Sequence, residues 1–64
     1  MMEFFIIENG QQVGPFTIAQ LAERKITSET LVWKEGMTNW APAWTVSELR
    51  YILEENQGQP QNEN

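Results

Sequence analysis

The chain has 64 residues, which is enough for one small domain and too few for two. It carries nine acidic residues, all of them glutamate, against four lysines and arginines, and the net charge of -5 repels a phosphate backbone and argues against a nucleic-acid partner. Cysteine, histidine and aspartate are absent, so the sequence offers no disulfide, no nucleophile paired with a base and no cluster of metal ligands. We therefore expect a protein that is not an enzyme and that needs no cofactor or metal.

The first segment of the chain predicts a β-hairpin. Aromatic and β-branched residues at positions 3–8 precede Asn9-Gly10, and an Asn-Gly pair is a strong signal for a tight type I′ turn because both positions tolerate positive φ. We therefore expect residues 3–8 to pair with residues 11–16. The first strand is apolar at four successive positions, 4–7, which predicts apolar contacts on both of its faces.

A short helix is predicted directly after the hairpin. Thr17 and Gln20 form the Thr-x-x-Gln pattern of a capping box, in which two side chains accept hydrogen bonds from backbone N–H groups at the helix start. We expect the helix to span about 18–24. Ile18 and Leu21 lie three positions apart in it and would face the sheet.

A buried strand is predicted at residues 30–34, which read Thr-Leu-Val-Trp-Lys and are followed by a turn. Side chains alternate between the two faces of a strand, so Leu31 and Trp33 share one face and Val32 lies on the other. We expect Leu31 and Trp33 to be core residues, because a domain of this size has to bury a large part of its aromatic surface.

An amphipathic helix is predicted to close the domain and to end near residue 55. Thr45 and Glu48 repeat the capping-box pattern at its start. The apolar residues that follow recur at i, i+3, i+6 and i+7 and form a single stripe along the helix. Leu49 and Ile52 belong to this stripe, and we expect them in the core.

The other two tryptophans receive different predictions. Trp44 directly precedes the predicted helix cap, where it would act as a hydrophobic staple by packing on Leu49. Trp40 follows a turn and Met37, and a methionine beside an aromatic residue suits either a gap in the core or an adaptable contact surface. The assignment of Trp40 to core or surface therefore stays open from the sequence.

Together the elements predict a small single α+β domain with an N-terminal antiparallel β-hairpin, a short helix, at least one further strand and a C-terminal amphipathic helix. The domain is expected over residues 1–55. Residues 56–64 consist of Gln, Asn, Gly and Pro with one Glu, a composition typical of a disordered polar tail or linker. A linker there suggests that the chain is a module of a longer protein.

The sequence also predicts that this segment does not insert into a membrane. No apolar run approaches the roughly 20 residues of a membrane-spanning helix, and the N-terminal residues lack the basic start and the long apolar stretch of a signal peptide. We expect a cytoplasmic domain, which a longer parent chain could tether to the inner membrane.

Several motifs with characteristic spacing resemble a known family. They are Gly-Pro-Phe at 14–16, Thr-Leu-Val-Trp at 30–33, Gly-Met at 36–37 and a tryptophan at Trp40. In these motifs the chain is similar to a GYF-like domain, and more narrowly to the bacterial branch of that family. The founding members are adaptors that bind proline-rich peptides on a patch of aromatic side chains, so the resemblance implies binding of a protein or peptide rather than catalysis.

The resemblance also implies which residues contact the partner. Phe16 matches the aromatic residue of the Gly-Pro-Phe motif, and Leu21 occupies the position of a methionine in the peptide binders. The family patch includes an aromatic residue of the first strand, which Phe4 or Phe5 could supply. This chain has Arg24 where the binders carry a helix tryptophan, and it lacks the Gly-Tyr-Phe tripeptide. The predicted partner-binding residues are Phe5, Phe16, Leu21, Met37 and Trp40.

Two functions remain open from the sequence. The first is a non-enzymatic interaction module that binds an extended hydrophobic or proline-rich peptide on the aromatic patch. The second is a structural or regulatory accessory domain, which self-associates or docks on its own larger parent protein, and that parent could be attached to a membrane. The sequence does not separate a peptide-binding groove from the face of a homo-oligomer, because the two have similar composition.

Overall fold

The computed structural model describes residues 2–56 of the chain, and side-chain burial as far as residue 53. In chain order the elements are strand β1 (Phe4–Glu8), strand β2 (Gln11–Phe16), helix α1 (Ile18–Arg24), strand β3 (Leu31–Trp33), strand β4 (Ala41–Pro42) and helix α2 (Arg50–Asn56). The strands form one antiparallel sheet in the order β2-β1-β3-β4. This confirms the predicted small α+β fold. Most of the predicted tail, residues 57–64, lies outside the described residues.

The N-terminal hairpin forms where the sequence predicts it. Asn9 and Gly10 have φ values of 54° and 78°, and they join β1 to β2 so that Glu8 is paired with Gln11. Positive φ at both central positions is the requirement of a type I′ turn, and its twist matches that of the two strands. The local chemistry of the Asn-Gly pair is therefore sufficient to set the register next to the turn, from the pair of Glu8 with Gln11 to the pair of Ile6 with Val13.

Helix α1 begins with the predicted capping box. The backbone N–H of Gln20 donates to the Thr17 hydroxyl at 3.2 Å, and the backbone N–H of Thr17 donates to the Gln20 side-chain oxygen at 2.8 Å. Two N–H groups that the helix cannot pair internally are thus satisfied by side chains. The helix ends at Lys25, whose left-handed φ of 58° lets its N–H donate to the carbonyl of Ala22.

Removing the Thr17 cap gives a first testable expectation. We expect Thr17→Ala to lower the free energy of unfolding by about 1 kcal/mol, because the N–H of Gln20 loses its acceptor. Urea unfolding followed by circular dichroism measures the change. Thr38→Ala is the matched control, since Thr38 is exposed and makes no hydrogen bond among the described side chains, and it should change stability little. Equal losses in the two variants would show that the cap does not stabilise α1.

The hydrophobic core lies on one face of the sheet. Phe4 and Ile6 of β1 and Val32 of β3 are fully buried there, and Ile6 is paired directly with Val32. Helix α1 packs against β2 and α2. The buried residues are Phe4, Ile6, Leu21, Ile26, Val32, Ala43, Val46, Leu49, Ile52 and Leu53.

The predicted alternation along β3 is present, but the predicted orientation of its faces is wrong. Val32 is the core residue, whereas Leu31 is 40% exposed and Trp33 is half-buried outside the core cluster. The cause is the pairing of Val32 with Ile6, which puts Val32 on the covered face of the sheet and turns its two neighbours to the open face. Leu31 and Trp33 are therefore not core residues.

The start of the C-terminal helix also differs from the prediction. The chain makes two short 3₁₀ turns, Ala43–Thr45 and Ser47–Leu49, and α2 itself begins at Arg50. The Thr45 hydroxyl donates to the carbonyl of Pro42 at 2.7 Å instead of accepting a bond from the helix start. Val46 between the turns is extended, with φ -98° and ψ 110°, so no continuous helix can begin at Thr45.

The residues of the predicted apolar stripe are buried even though the helix begins later than predicted. Leu49 is fully buried and Ile52 is 2% exposed, and both belong to the hydrophobic core cluster. The staple prediction for Trp44 is wrong, because α2 begins at Arg50 rather than after Thr45 and the indole of Trp44 is 51% exposed. No helix within residues 2–56 has both the length and the apolar character to cross a membrane.

Candidate functional site

An open groove of about 700 Å³ lies over the ends of β1 and β3 on the sheet face opposite the core. It is lined by Met2, Glu3, Phe5, Trp33, Lys34 and Glu35. Two of these residues, Phe5 and Trp33, are paired directly across the two central strands. The groove therefore has two aromatic side chains that are set on the central strands β1 and β3 of the sheet.

Phe5 and Trp33 form a tilted pair of rings. Their ring centroids are 6.2 Å apart and the ring planes meet at 51°. Both side chains are half-buried, so each ring packs with part of its surface and leaves part open to the groove. Such a pair presents a concave apolar surface, and aromatic rings supply a large contact area with few rotatable bonds.

Phe5 is seated on the backbone of the neighbouring strand. The register between β1 and β2 shifts between Phe4 and Ile6. Here two residues of β2, Gly14 and Pro15, lie opposite the single residue Phe5, so β2 has a β-bulge. Gly14 has φ +135°, and a Cβ atom there would lie 2.8 Å from the carbonyl oxygen of Phe4 and 3.1 Å from Cδ2 of Phe5. The Gly-Pro-Phe motif thus lets the backbone of β2 approach the ring of Phe5 closely.

Trp33 is held by the turn that follows β3. Its indole N–H donates to the carbonyl of Met37 at 2.9 Å. The turn is closed by the N–H of Met37, which donates to the carbonyl of Lys34 at 3.0 Å, and Gly36 within it has φ 100°. The N–H of Lys34 in turn donates to the sulfur of Met37 at 3.4 Å. Met37 therefore lies behind Trp33 and orients the indole, while its side chain packs against the core.

Trp40 is not among the residues that line the groove. It directly precedes β4, which begins at Ala41, and its side chain is half-buried. Of the predicted partner-binding residues, Phe5 lines the groove, and Met37 is joined to Trp33 by the hydrogen bond from the indole N–H.

Phe16 and Leu21 lie on the other side of the sheet. Phe16 is paired with the core residue Phe4 and packs against the core, and the guanidinium of Arg24 lies over its ring, 4.5 Å from the centroid. Arg24 also forms an ion pair with Glu8. Leu21 is fully buried, so the prediction that it contacts a partner is wrong. On the helix side of the sheet, the ring of Phe16 is therefore already in contact with other side chains of the protein.

Sequence reasoning missed Trp33 as a member of the candidate site. Both strands have apolar side chains on both of their faces. Pairing β1 with β3 in the observed register puts Phe5 and Trp33 on the same face, and this pairing is what could have revealed Trp33 as a site residue. It also missed the charged residues of the lining, Glu3, Lys34 and Glu35. These flank the two rings in sequence and carry no motif of their own.

The described part of the chain contains no cluster of three or more metal-ligating side chains, and no buried polar or charged residue is found in it. The groove combines three apolar side chains with three charged ones, and this mixture is typical of a recognition surface.

A sheet with a hydrophobic core on one face and an aromatic groove on the other defines a small α+β domain with an open apolar surface. The family model described as GYF domain 2 matches residues 4–49, so the chain belongs to the GYF domain family. GYF domains generally bind proline-rich peptides, which supports a protein-interaction role for this member. No curated protein matches the chain.

Proposed function

We propose that this GYF domain binds an extended hydrophobic or proline-rich segment of a partner protein in the groove formed by Phe5 and Trp33, and that it catalyses no reaction. The observation that carries the proposal is the tilted ring pair, with centroids 6.2 Å apart, on the face of the sheet that the helices leave open. A polyproline II segment is already extended and exposes apolar rings, so it can pack on such a surface with little loss of conformational freedom.

The groove is organised before any partner binds. Phe5 rests against the backbone at Gly14, and the indole N–H of Trp33 is hydrogen-bonded to Met37. Ordering a flexible side chain on binding costs about 0.5–1.5 kcal/mol, and this cost falls when the side chain is held in the free protein. Both walls of the groove are held in this way, which favours binding at this site.

The open face is also favoured over the helix side of the domain. There the ring of Phe16 is covered by Arg24, which is in turn held by Glu8. A ligand that used Phe16 would have to displace a cation that is both stacked and ion-paired. A ligand at Phe5 and Trp33 meets no such contact among the described side chains.

A peptide titration with a tryptophan variant tests the proposal. The ¹⁵N-labelled domain is titrated with decapeptides that have proline-rich or leucine-rich centres, and the backbone signals of Phe5 and the indole signal of Trp33 should shift. We expect Trp33→Ala to raise the Kd at least about tenfold, because aromatic residues at the centre of an interface commonly contribute 2 kcal/mol or more.

Trp44→Ala is the matched control for this experiment. It removes the same side chain from a position that is 51% exposed and outside the groove lining, so the Kd should stay within about a factor of two. One-dimensional NMR spectra establish that both variants are folded. A peptide that binds Trp33→Ala as tightly as the original domain, or that shifts only signals around Phe16, would contradict the proposed site.

Self-association through the same face is the second candidate function. Leu31 lies on the Trp33 side of β3 and is 40% exposed, so it extends the apolar surface beyond the groove. Light scattering over a range of protein concentrations separates the two candidates. A monomer at every concentration favours the peptide-binding role, whereas a stable dimer that Leu31→Lys dissociates favours an accessory domain that assembles through this face.

A further inference from the structure

Met37 supports Trp33 through its backbone and closes the turn after β3 through its side chain. Its carbonyl accepts the indole N–H of Trp33 at 2.9 Å. Its sulfur accepts the backbone N–H of Lys34 at 3.4 Å, and its own N–H donates to the carbonyl of Lys34 at 3.0 Å. Two hydrogen bonds thus join the first and last residues of the turn, and one of them depends on the oxidation state of a thioether.

The turn that carries Met37 is open to solvent. Glu35, Gly36 and Thr38 are exposed, and a Cβ atom placed at Gly36 would meet no atom of the described residues within 4 Å. Met37 itself is half-buried. A thioether sulfur has two lone pairs, and the N–H of Lys34 uses one of them. The other lone pair remains for reaction with a small oxidant that reaches the turn.

We propose that Met37 is a reversible oxidation site, and that its sulfoxide releases the indole of Trp33 and weakens binding in the groove. The oxidant is hydrogen peroxide or an organic hydroperoxide. A lone pair of the sulfur attacks the terminal peroxide oxygen, the O–O bond breaks, and the proton on the transferred oxygen moves to the departing one. The sulfur loses two electrons and the peroxide is reduced to water or an alcohol. Methionine sulfoxide reductases return the sulfoxide to the thioether, with one enzyme for each epimer.

The sulfoxide does not fit the closed turn. An N–H···O hydrogen bond spans about 2.9 Å, so an oxygen between the Lys34 nitrogen and the Met37 sulfur leaves about 0.5 Å of their 3.4 Å separation for the sulfur–oxygen bond. That is much too short for a covalent bond. On the other lone pair, the oxygen adds a polar atom to a side chain that packs against the hydrophobic core. Either epimer therefore favours movement of Met37 away from its place behind Trp33.

This movement reaches Trp33 because the sulfur and the carbonyl belong to the same residue. When the Met37 side chain leaves the core, its backbone shifts and the indole N–H loses its acceptor. The ring of Trp33 then takes several orientations in the free domain, and a ligand has to fix one of them. The effect on affinity rests on the proposed function, whereas the release of the indole does not.

A peroxide titration of the ¹⁵N-labelled domain tests both parts. Oxidation is measured by mass spectrometry after trypsin digestion, which separates Met37 from the N-terminal methionines by cleavage after Lys34. We expect a new indole N–H signal of Trp33 whose share of the intensity equals the fraction of Met37 sulfoxide, and we expect the original signal to return after treatment with both reductases. The Kd of the tightest-binding decapeptide should rise about two- to tenfold, the range that corresponds to immobilising one side chain on binding.

Met37→Leu and Met2→Leu are the matched variants. Each replaces one methionine by an apolar residue of similar volume, and Met2 is 41% exposed and lines the groove. Peroxide should produce no new Trp33 signal in Met37→Leu, and it should produce the same new signal in Met2→Leu as in the original domain. If Met37→Leu does not fold, the match between the signal and the sulfoxide fraction in Met2→Leu still tests the inference.

The inference is overturned if Met37 stays reduced at peroxide concentrations that oxidise Met2 completely. Met37 sulfoxide without a change in the indole signal of Trp33 would overturn it as well, as would equal peptide affinity of the reduced and oxidised domains. If no peptide binds the reduced domain, the proposed function fails together with the effect on affinity. The indole signal then still decides whether oxidation of Met37 releases Trp33.

Discussion

Replacing Phe4 with alanine is expected to lower the free energy of unfolding by about 3–5 kcal/mol. Phe4 is fully buried among the core residues, and its loss leaves a cavity that the surrounding side chains can fill only in part. Domains of this kind have a total stability of about 5–15 kcal/mol, and a chain of this size lies near the lower end, so most molecules would unfold on mild heating. Thermal and urea unfolding measure the change.

The neighbouring residue provides a matched comparison. Phe5→Ala removes the same side chain one position further along β1, on the open face, where the ring is only half-buried. We expect a loss of about 1–2 kcal/mol, because less apolar surface is returned to water, and we expect the domain to remain folded. Peptide binding should be lost in this variant. Similar losses of stability in the two variants would contradict the assignment of one covered and one open face.

Gly14→Ala should destabilise the domain by about 3–4 kcal/mol, since backbone strain and steric overlap each cost roughly 1–3 kcal/mol. Gly14 has φ +135°, and the added Cβ would lie 2.8 Å from the carbonyl oxygen of Phe4, which is held in the sheet. This steric overlap is relieved only if β1 and β2 move apart at the bulge, and the same movement displaces the ring of Phe5. Urea unfolding gives the loss of stability, and the NMR signals of Phe5 report the displacement.

Gly10→Ala and Gly36→Ala are the controls for this prediction. Both glycines have positive φ, 78° and 100°, but a Cβ at either position would meet no atom within 4 Å. These substitutions carry the cost of the left-handed conformation alone, which is about 1–2 kcal/mol. If Gly14→Ala costs no more than they do, the close approach between β2 and Phe5 contributes nothing to stability.

The elements that depend on local chemistry were predictable from the sequence. Asn9-Gly10 requires nothing beyond its own two residues to form the turn, and the Thr17 and Gln20 side chains reach backbone groups three residues away. The interactions that specify these elements are complete within a few residues. Their positions in the structure therefore agree with the prediction.

The second capping-box pattern shows how tertiary contacts override such a signal. Thr45 has the same spacing to Glu48 as Thr17 has to Gln20, yet its hydroxyl bonds to Pro42 and the helix begins later, at Arg50. The segment is held in place by backbone bonds to the loop before β3, among them the N–H of Trp44 to the carbonyl of Ser28 at 3.2 Å. Contacts between distant segments decide the backbone here, and the pattern does not contain them.

The candidate site was predictable only in part. The family motifs pointed to an aromatic surface and to residues such as Phe5 and Met37, which lie at or behind the groove. They also pointed to Phe16 and Leu21, which the structure places on the core side. The family motifs give the positions of these residues in the chain but not the face of the sheet on which each side chain lies. The register shift at the bulge pairs Phe16 with Phe4, so Phe16 and Phe5 lie on opposite faces.

The sequence by itself determined the α+β class, the hairpin, the first helix and the alternation of Leu31, Val32 and Trp33. Only the tertiary structure decided which face of that alternation is covered. A strand with apolar residues on both sides can bury either one, and the choice depends on the pairing of Val32 with Ile6 and on the side where the helices pack. That choice buries a valine and leaves Trp33 beside Phe5 on the open face, where the candidate binding groove lies.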